Sequence, residues 1–194
     1  DSTSQVECVE VYTDNGDGTH TVGCIYGCNY PNAGNESHVD EDGNNVCDLC
    51  KAEIATNVEP TTITVKISEL AIENEWQNDK KYDSFNLDDV ISVSTTGGQY
   101  TGKYFTSGTN WRIYQTDKGT MTFKAAEGYK IVSIKITYSV SNNGVMVQGT
   151  EQISSGTPVE VNGESITFGV GNTGTKTNGQ VRVTSIEVIY EPIA

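Results

Sequence analysis

From Thr61 onward, apolar and polar residues alternate with period two, and the apolar positions are rich in Val, Ile, Thr and Tyr. This is the pattern of strands with one face on a core and the other in water. Thr62-Ile63-Thr64-Val65-Lys66-Ile67 opens the series. Asp89 to Thr95, Trp111 to Gln115, Thr120 to Lys124, Lys130 to Val140, Val145 to Gln148, Val159 to Val161, Ser165 to Val170 and Val181 to Tyr190 read the same way. Turn formers divide them, notably Gly97-Gly98, Lys118-Gly119, Asn143-Gly144 and Asn178-Gly179. Residues Ser68 to Trp76 break the alternation and suit one short helix, with Ser68 as N-cap and Leu70 and Ile72 or Trp76 inward. Some nine strands with one short helix predict an antiparallel β-sandwich, jelly-roll-like, over residues 60–194.

The pattern contains an internal echo. Thr122-Phe123 followed by Val132-Ser133-Ile134-Lys135-Ile136-Thr137-Tyr138 recurs as Thr167-Phe168 followed by Thr184-Ser185-Ile186-Glu187-Val188-Ile189-Tyr190. Two similar strand pairs stacked face to face would form the two halves of a sandwich core.

Residues 1–59 show almost no such periodicity. Short apolar runs such as Val9-Glu10-Val11-Tyr12 are cut by turn formers, among them Asp14-Asn15-Gly16-Asp17-Gly18. So few large apolar groups cannot bury enough surface to offset chain entropy, so a covalent or coordinate staple is required. Every Cys and both His of the chain fall in this segment, while both Trp fall in the other. That break, near Thr56-Asn57-Val58-Glu59-Pro60-Thr61-Thr62, marks a domain boundary.

The cysteine spacing is C-x3-C-x18-C-x2-C over Cys24, Cys28, Cys47 and Cys50, one residue from a zinc-ribbon pattern. Knuckle turns of this kind aim two thiolates at one tetrahedral ion. His20 lies four positions before Cys24 and His38 nine before Cys47, so either imidazole can replace a thiolate. The fifth cysteine, Cys8, allows a Cys8, Cys24, Cys28, His38 set instead. Two disulfides and one free thiol are the alternative to metal. Either way the role is structural, because nothing suggests an open coordination position. A calcium turn competes for the same stretch: Asp40, Asp42, Asn44 and Asp48 fall at loop positions 1, 3, 5 and 9, with the Val46 carbonyl at 7. Lys51 at position 12 and Asn45 at position 6 exclude an EF-hand, leaving a looser Ca2+ turn or a solvated acidic turn.

The formal charge of −14 sharpens the division. Residues 1–59 carry 12 acids and one base, Lys51, whereas residues 60–194 carry 14 acids and 11 bases. Such a balance argues against nucleic acid, whose phosphates demand clustered Lys and Arg, and against an anionic membrane surface. No apolar run approaches the roughly 20 residues that span a bilayer, so no membrane insertion is expected. No amino-terminal apolar segment resembles a signal peptide, so an exported chain would have lost its leader before residue 1.

Asp17-Gly18-Thr19-His20-Thr21-Val22-Gly23-Cys24 and His38-Val39-Asp40-Glu41-Asp42-Gly43-Asn44-Asn45-Val46-Cys47-Asp48-Leu49-Cys50 resemble short Cys/His repeats of exported gut-bacterial surface proteins. Those repeats typically read D-G-x-H-T-x-x-C-x-x-C-G followed by H-x-D-x-D-G-x-C-D-x-C-G. This chain departs from them in the extra residue between Cys24 and Cys28, and in Asn29 and Lys51 where Gly is usual. The stretch from Gly102 to Gln115, with Gly128 to Ile134, resembles β-sandwich modules that sit beside other accessory domains in such proteins. The resemblance implies a secreted or cell-surface bacterial protein with an accessory role, not catalysis.

Sugar binding is one reading of Trp76, Tyr82, Tyr100, Tyr104, Trp111 and Tyr114, because sugar C–H faces stack on aromatic planes while polar side chains such as Arg112 bond the hydroxyls. Core packing is the other, since aromatics favour strands. Trp111 and Ile113 should share one face of their strand, and Arg112 and Tyr114 the other. Catalysis lacks its parts. The larger segment has no histidine for a Ser-His-Asp or Cys-His arrangement, and Asp79, Asp83, Asp88 and Asp89 look like turn acids rather than a glycosidase pair. The expectation is a monomeric, non-catalytic accessory module that binds an extracellular glycan or surface protein. A structural spacer or protein-adhesion domain with no small ligand is the alternative.

Overall fold

The computed structural model describes residues 9–26, 34–54 and 59–193. The chain divides into two compact units, Asp1–Asn57 and Val58–Ala194. It is mainly β, and among the described residues every strand pairing is antiparallel.

In the first unit, β1 (Glu10–Asp14), β2 (Thr19–Cys24) and β3 (Gly34–Ser37) form a sheet in that order. The turn joining β1 to β2 is built by side chains acting as local acceptors. Asp14 Oδ1 accepts the Gly16 N–H at 3.0 Å, and Asp17 Oδ1 accepts that of Thr19 at 3.1 Å. Gly16 and Gly18 have φ of +74° and +84°, a backbone region that glycine enters without steric cost. Along β2 the inward positions are His20, Val22 and Cys24, all buried. A histidine thus occupies a place in the period-2 pattern that an apolar residue would normally fill.

The loop after β3 is folded by its own carboxylates. Asp40 accepts the N–H groups of Asn44 and Asn45 at 3.0 and 2.9 Å. Asp42 accepts Asn44 N–H at 3.1 Å, and Asp48 reaches back to Glu41 N–H at 2.8 Å. A small hairpin follows, in which Ile54 N–H bonds the Asn45 carbonyl and Cys47 N–H bonds that of Ala52, both at 2.8 Å.

The second unit is a sandwich of two sheets. One has six strands in the order β13 (Glu151–Ile153), β12 (Gly144–Gln148), β15 (Ser165–Asn172), β10 (Thr120–Ala125), β7 (Ile91–Thr96) and β6 (Ser84–Asn86). The other has seven. Its path is β14 (Pro158–Gly163), β11 (Tyr129–Ser141), β16 (Gln180–Pro192), β9 (Asn110–Tyr114), β8 (Lys103–Phe105) and β5 (Lys80–Lys81), with β4 (Thr61–Lys66) also on β16. Phe123, Phe168, Met121 and Met146 from the first sheet meet Trp111, Ile113, Ile134, Ile186 and Val188 from the second in one apolar core.

The echo takes a form other than the expected one. β10 pairs with β15, setting Thr122 opposite Thr167, and β11 pairs with β16, setting Ile136 opposite Ile186. Each copy therefore contributes one strand to each sheet, rather than one copy building each half. Phe123 and Phe168 meet edge to face at 6.0 Å across the pair, and the Thr122 and Thr167 hydroxyls bond at 2.8 Å on the outer side.

The helix α1 spans Ile67–Glu73. Its N-cap is Lys66 and not Ser68, and no side chain caps it. Instead Lys66 Nζ and Glu69 Oε1 pair at 2.8 Å over the first turn. Ile67, Leu70 and Ala71 face the core, while Ile72 is 79% exposed. Trp76, beyond the helix, supplies the inward aromatic group, stacked on Tyr82 at 4.5 Å.

Candidate metal centre

His20 on β2, His38 just after β3, and Cys47 and Cys50 in the hairpin each place one ligand atom within 4.8 Å of the other three. Strand pairing explains how residues 30 positions apart converge. His20 lies in the central strand, with Asp14 opposite on β1 and Glu36 opposite on β3. Residues directly opposite in antiparallel strands point to one face. That face also receives His38, whose ring stacks on His20 with centroids 5.7 Å apart and planes 10° apart. Tyr12 packs edge-on against His20 at 5.3 Å.

The hairpin presents the sulfurs. Lys51 N–H bonds the Cys47 carbonyl at 2.9 Å, and Lys51 has φ of +62°. A left-handed residue here turns the chain back after Cys50, and glycine would adopt that conformation with less strain. Asp48 N–H bonds the Val39 carbonyl at 2.7 Å and ties the hairpin to the segment carrying His38.

Electrostatics separate the two thiols. Burial acts to push the Cys47 thiol up, but backbone N–H groups of Cys50, Val39 and Leu49 converge on its sulfur and outweigh burial, bringing it down to about 6. Burial pushes the Cys50 thiol up, partly opposed by the Ala52 N–H, and the neighbouring Cys47 and the Asp14 carboxylate add to the rise. The pocket thus already stabilises one thiolate, the protonation state that ligates metal.

The imidazoles carry a second sign. His20 Nδ1 lies 3.7 Å from Cys47 Sγ. His20 Nε2 and both nitrogens of His38 are buried and make no hydrogen bond. Of these, His38 Nε2 lies 3.2 Å from Asp14 Oδ1 and His20 Nε2 3.8 Å from Glu36 Oε2. His38 Nδ1 is left with no polar partner, and such a nitrogen beside two thiols fits a missing electrophile better than a packed core. Two sulfurs and two imidazole nitrogens make a closed four-donor set of the kind that holds a metal without an open position.

Cys24 does not belong to this set. It is disulfide-bonded, and a disulfide sulfur carries no thiolate to donate, whereas Cys47 and Cys50 are free. Cys8 and Cys28 lie outside the described residues. The bonded state of Cys24 argues against a four-thiolate site and against the Cys8, Cys24, Cys28, His38 set. In the candidate calcium turn, Asp40, Asp42 and Asp48 accept backbone N–H groups of their own loop. Among the described residues, only the His/Cys group brings three or more such donors together.

In the sandwich, two of the residues expected to bind a ligand are inside. Trp111 is fully buried and donates its indole N–H to the Tyr82 carbonyl at 3.2 Å, and Tyr104 is 5% exposed. Their positions on the inward face of β9 and β8 remove them from any surface platform. Arg112 lies on the outer face as expected, its guanidinium 3.7 Å from the Phe105 ring centre and its Nε bonded to Asn110 at 2.7 Å. Tyr100 is 47% exposed, 5.9 Å from Tyr114, with Lys103 Nζ 5.6 Å from its ring centre. Three of the turn acids are engaged in structure. Asp79 pairs with Lys103 at 2.9 Å, Asp83 with Lys81 at 3.1 Å, and Asp88 accepts Val90 and Ile91 N–H groups and the Tyr190 hydroxyl.

Comparison with protein-family models, with curated proteins and with solved structures finds no match.

Proposed function

We propose that this chain is a non-catalytic accessory unit of an exported protein, in which a structural zinc ion held by His20, His38, Cys47 and Cys50 staples the small unit. The observation that carries the reading is the convergence of these four donors, with the buried His38 Nδ1 left without a partner. Zinc suits the set because it takes sulfur and imidazole together in tetrahedral geometry. Two thiolates neutralise its charge. Four protein donors leave no position for a substrate or activated water, so the role is to fold the unit.

Export is supported by the redox contrast within the unit. A disulfide at Cys24 belongs to an oxidising compartment, where two adjacent thiols such as Cys47 and Cys50 persist when a metal occupies them. Elemental analysis of the purified full chain should return one zinc per molecule. A metal-free chain with a Cys47–Cys50 disulfide would reject the proposal.

Binding of an extracellular glycan by the sandwich is a second reading, carried by the exposed Tyr100 with the half-buried Tyr114 and Lys103 beside it. Burial of Trp111 and Tyr104 favours the spacer or protein-adhesion role over this one. Glycan-array binding that is lost on Tyr100→Ala would establish the sugar site; a folded chain without array binding leaves the spacer role.

A further inference from the structure

We infer that Asp14 and Glu36 are positioning residues for the metal, fixing both imidazoles so that each ligates through Nδ1. The inference rests on the metal-stapled reading above and adds which ring atom binds and what holds the ring in place.

The cross-strand row Asp14–His20–Glu36 sets a carboxylate on either side of the central histidine. His20 Nδ1 faces the thiols, 3.7 Å from Cys47 Sγ, so Nε2 points away from them. Glu36 Oε2 stands 3.8 Å from that Nε2, the nearest charged partner for an otherwise unbonded buried nitrogen. Its side chain is 58% exposed, leaving it free to swing the roughly 0.6–1 Å closer that a hydrogen bond requires. For His38 the carboxylate again stands at Nε2. Nε2 lies 3.2 Å from Asp14 Oδ1, while Nδ1 is buried without a partner. Asp14 is itself held, because the same Oδ1 accepts the Gly16 N–H at 3.0 Å in the β1–β2 turn.

A metal-ligating imidazole donates its remote N–H to an acceptor, which selects the tautomer, fixes the ring plane and raises the basicity of the ligating nitrogen. Here the acceptor comes from the neighbouring strand in one case and from the turn-forming aspartate in the other. The sheet therefore supplies more than one ligand. It carries one ligand and both orienting carboxylates on three adjacent strands, and the hairpin adds the sulfurs.

The test is made on the full chain loaded with zinc. Long-range 1H–15N correlation of the two imidazoles should show Nδ1 as the metal-bound nitrogen and Nε2 as the protonated one in both rings. By competition against a chromophoric chelator, Asp14→Asn and Glu36→Gln should each lower zinc affinity by about 10–100-fold, with one zinc per chain still bound at saturation. Ligation through Nε2 in either ring, or variants that bind zinc as tightly as the parent chain, would overturn the inference while leaving the staple intact. A parent chain that takes up no zinc would remove the staple and the inference together. The spectrum of the unaltered chain decides the tautomer even where a variant fails to fold.

Discussion

The two units reach a defined structure by opposite means. In the sandwich, apolar side chains from two sheets and a short helix fill one core, and polar groups stay outside or bond locally. In the small unit the inward positions of the central strand include a histidine, and the convergent buried groups are nitrogens and sulfurs. Hydrophobic burial is non-directional and spreads over many residues, so no single sandwich side chain is indispensable. A four-donor site is directional and concentrated, and its loss leaves the unit with only the Cys24 disulfide as a staple. The charge distribution follows the same division, since a unit that does not depend on apolar burial can carry 12 acids against one base.

The largest expected effect tests this contrast. Removing zinc with a chelator, or replacing Cys47 by Ser, should unfold the small unit and leave the sandwich signals unchanged. Structural zinc contributes about 10–16 kcal/mol in comparable small motifs. Two-dimensional NMR of the full chain reads both units at once; collapse of both together would break the comparison. Trp111→Ala should act in reverse, costing the sandwich about 3–5 kcal/mol in denaturant unfolding without altering zinc stoichiometry. The indole is fully buried, edge-on to Phe85 at 5.1 Å, and its N–H bond to the Tyr82 carbonyl would go with it.

A smaller effect is confined to alkaline pH. Burial first, and then the hydrogen bond to Asp88, raise Tyr190 to about 12. Its unfolded value is about 10, so the folded chain retains this proton over the interval and the unfolded chain loses it. The contribution to stability is therefore complete below about pH 10 and declines as pH rises toward 12. Tyr190→Phe should flatten that part of the stability–pH curve and cost about 1 kcal/mol at neutral pH. Smallest of all, Tyr100→Ala should change sandwich stability by no more than about 0.5 kcal/mol, since the ring is a surface group. A large loss there would show that the ring belongs to the core economy and not to a binding surface.

Alternation made most of the sandwich legible, because β4, β7, β9, β10, β11, β14, β15 and β16 each carry a period-2 apolar face. The strands β5, β6, β8 and β13 are two or three residues long, too short for any period to register. Ser68 looked like a cap because its residue type suits one, but continuing β4 directly into the helix moved the start to Ile67 and left Lys66 at the boundary. Aromatic spacing on β9 placed Trp111 and Ile113 on one side correctly, yet which side faces the core depends on a partner sheet far away in sequence.

The candidate site divides in the same way. The pair Cys47 and Cys50 was visible as a knuckle, and both histidines as replacements for thiolates. Their assembly was not, because cysteine spacing carries no record of strand register. The register of β1, β2 and β3 sets Asp14 and Glu36 beside His20, while Cys24 on the same face is disulfide-bonded. One signal did lie in the sequence: His20 alternates with Val22 and Cys24, so a histidine occupies an inward strand position in a segment short of apolar residues. Asp14 and Glu36 gave no such signal, since each looks like an ordinary surface acid until the strands pair.

X-ray absorption spectroscopy at the zinc edge of the purified full chain tests the central claim most directly. The account predicts two sulfur neighbours near about 2.3 Å and two nitrogen neighbours near about 2.0 Å, with the outer-shell scattering of two imidazole rings. A shell of four sulfurs, or a chain carrying no zinc, would contradict it.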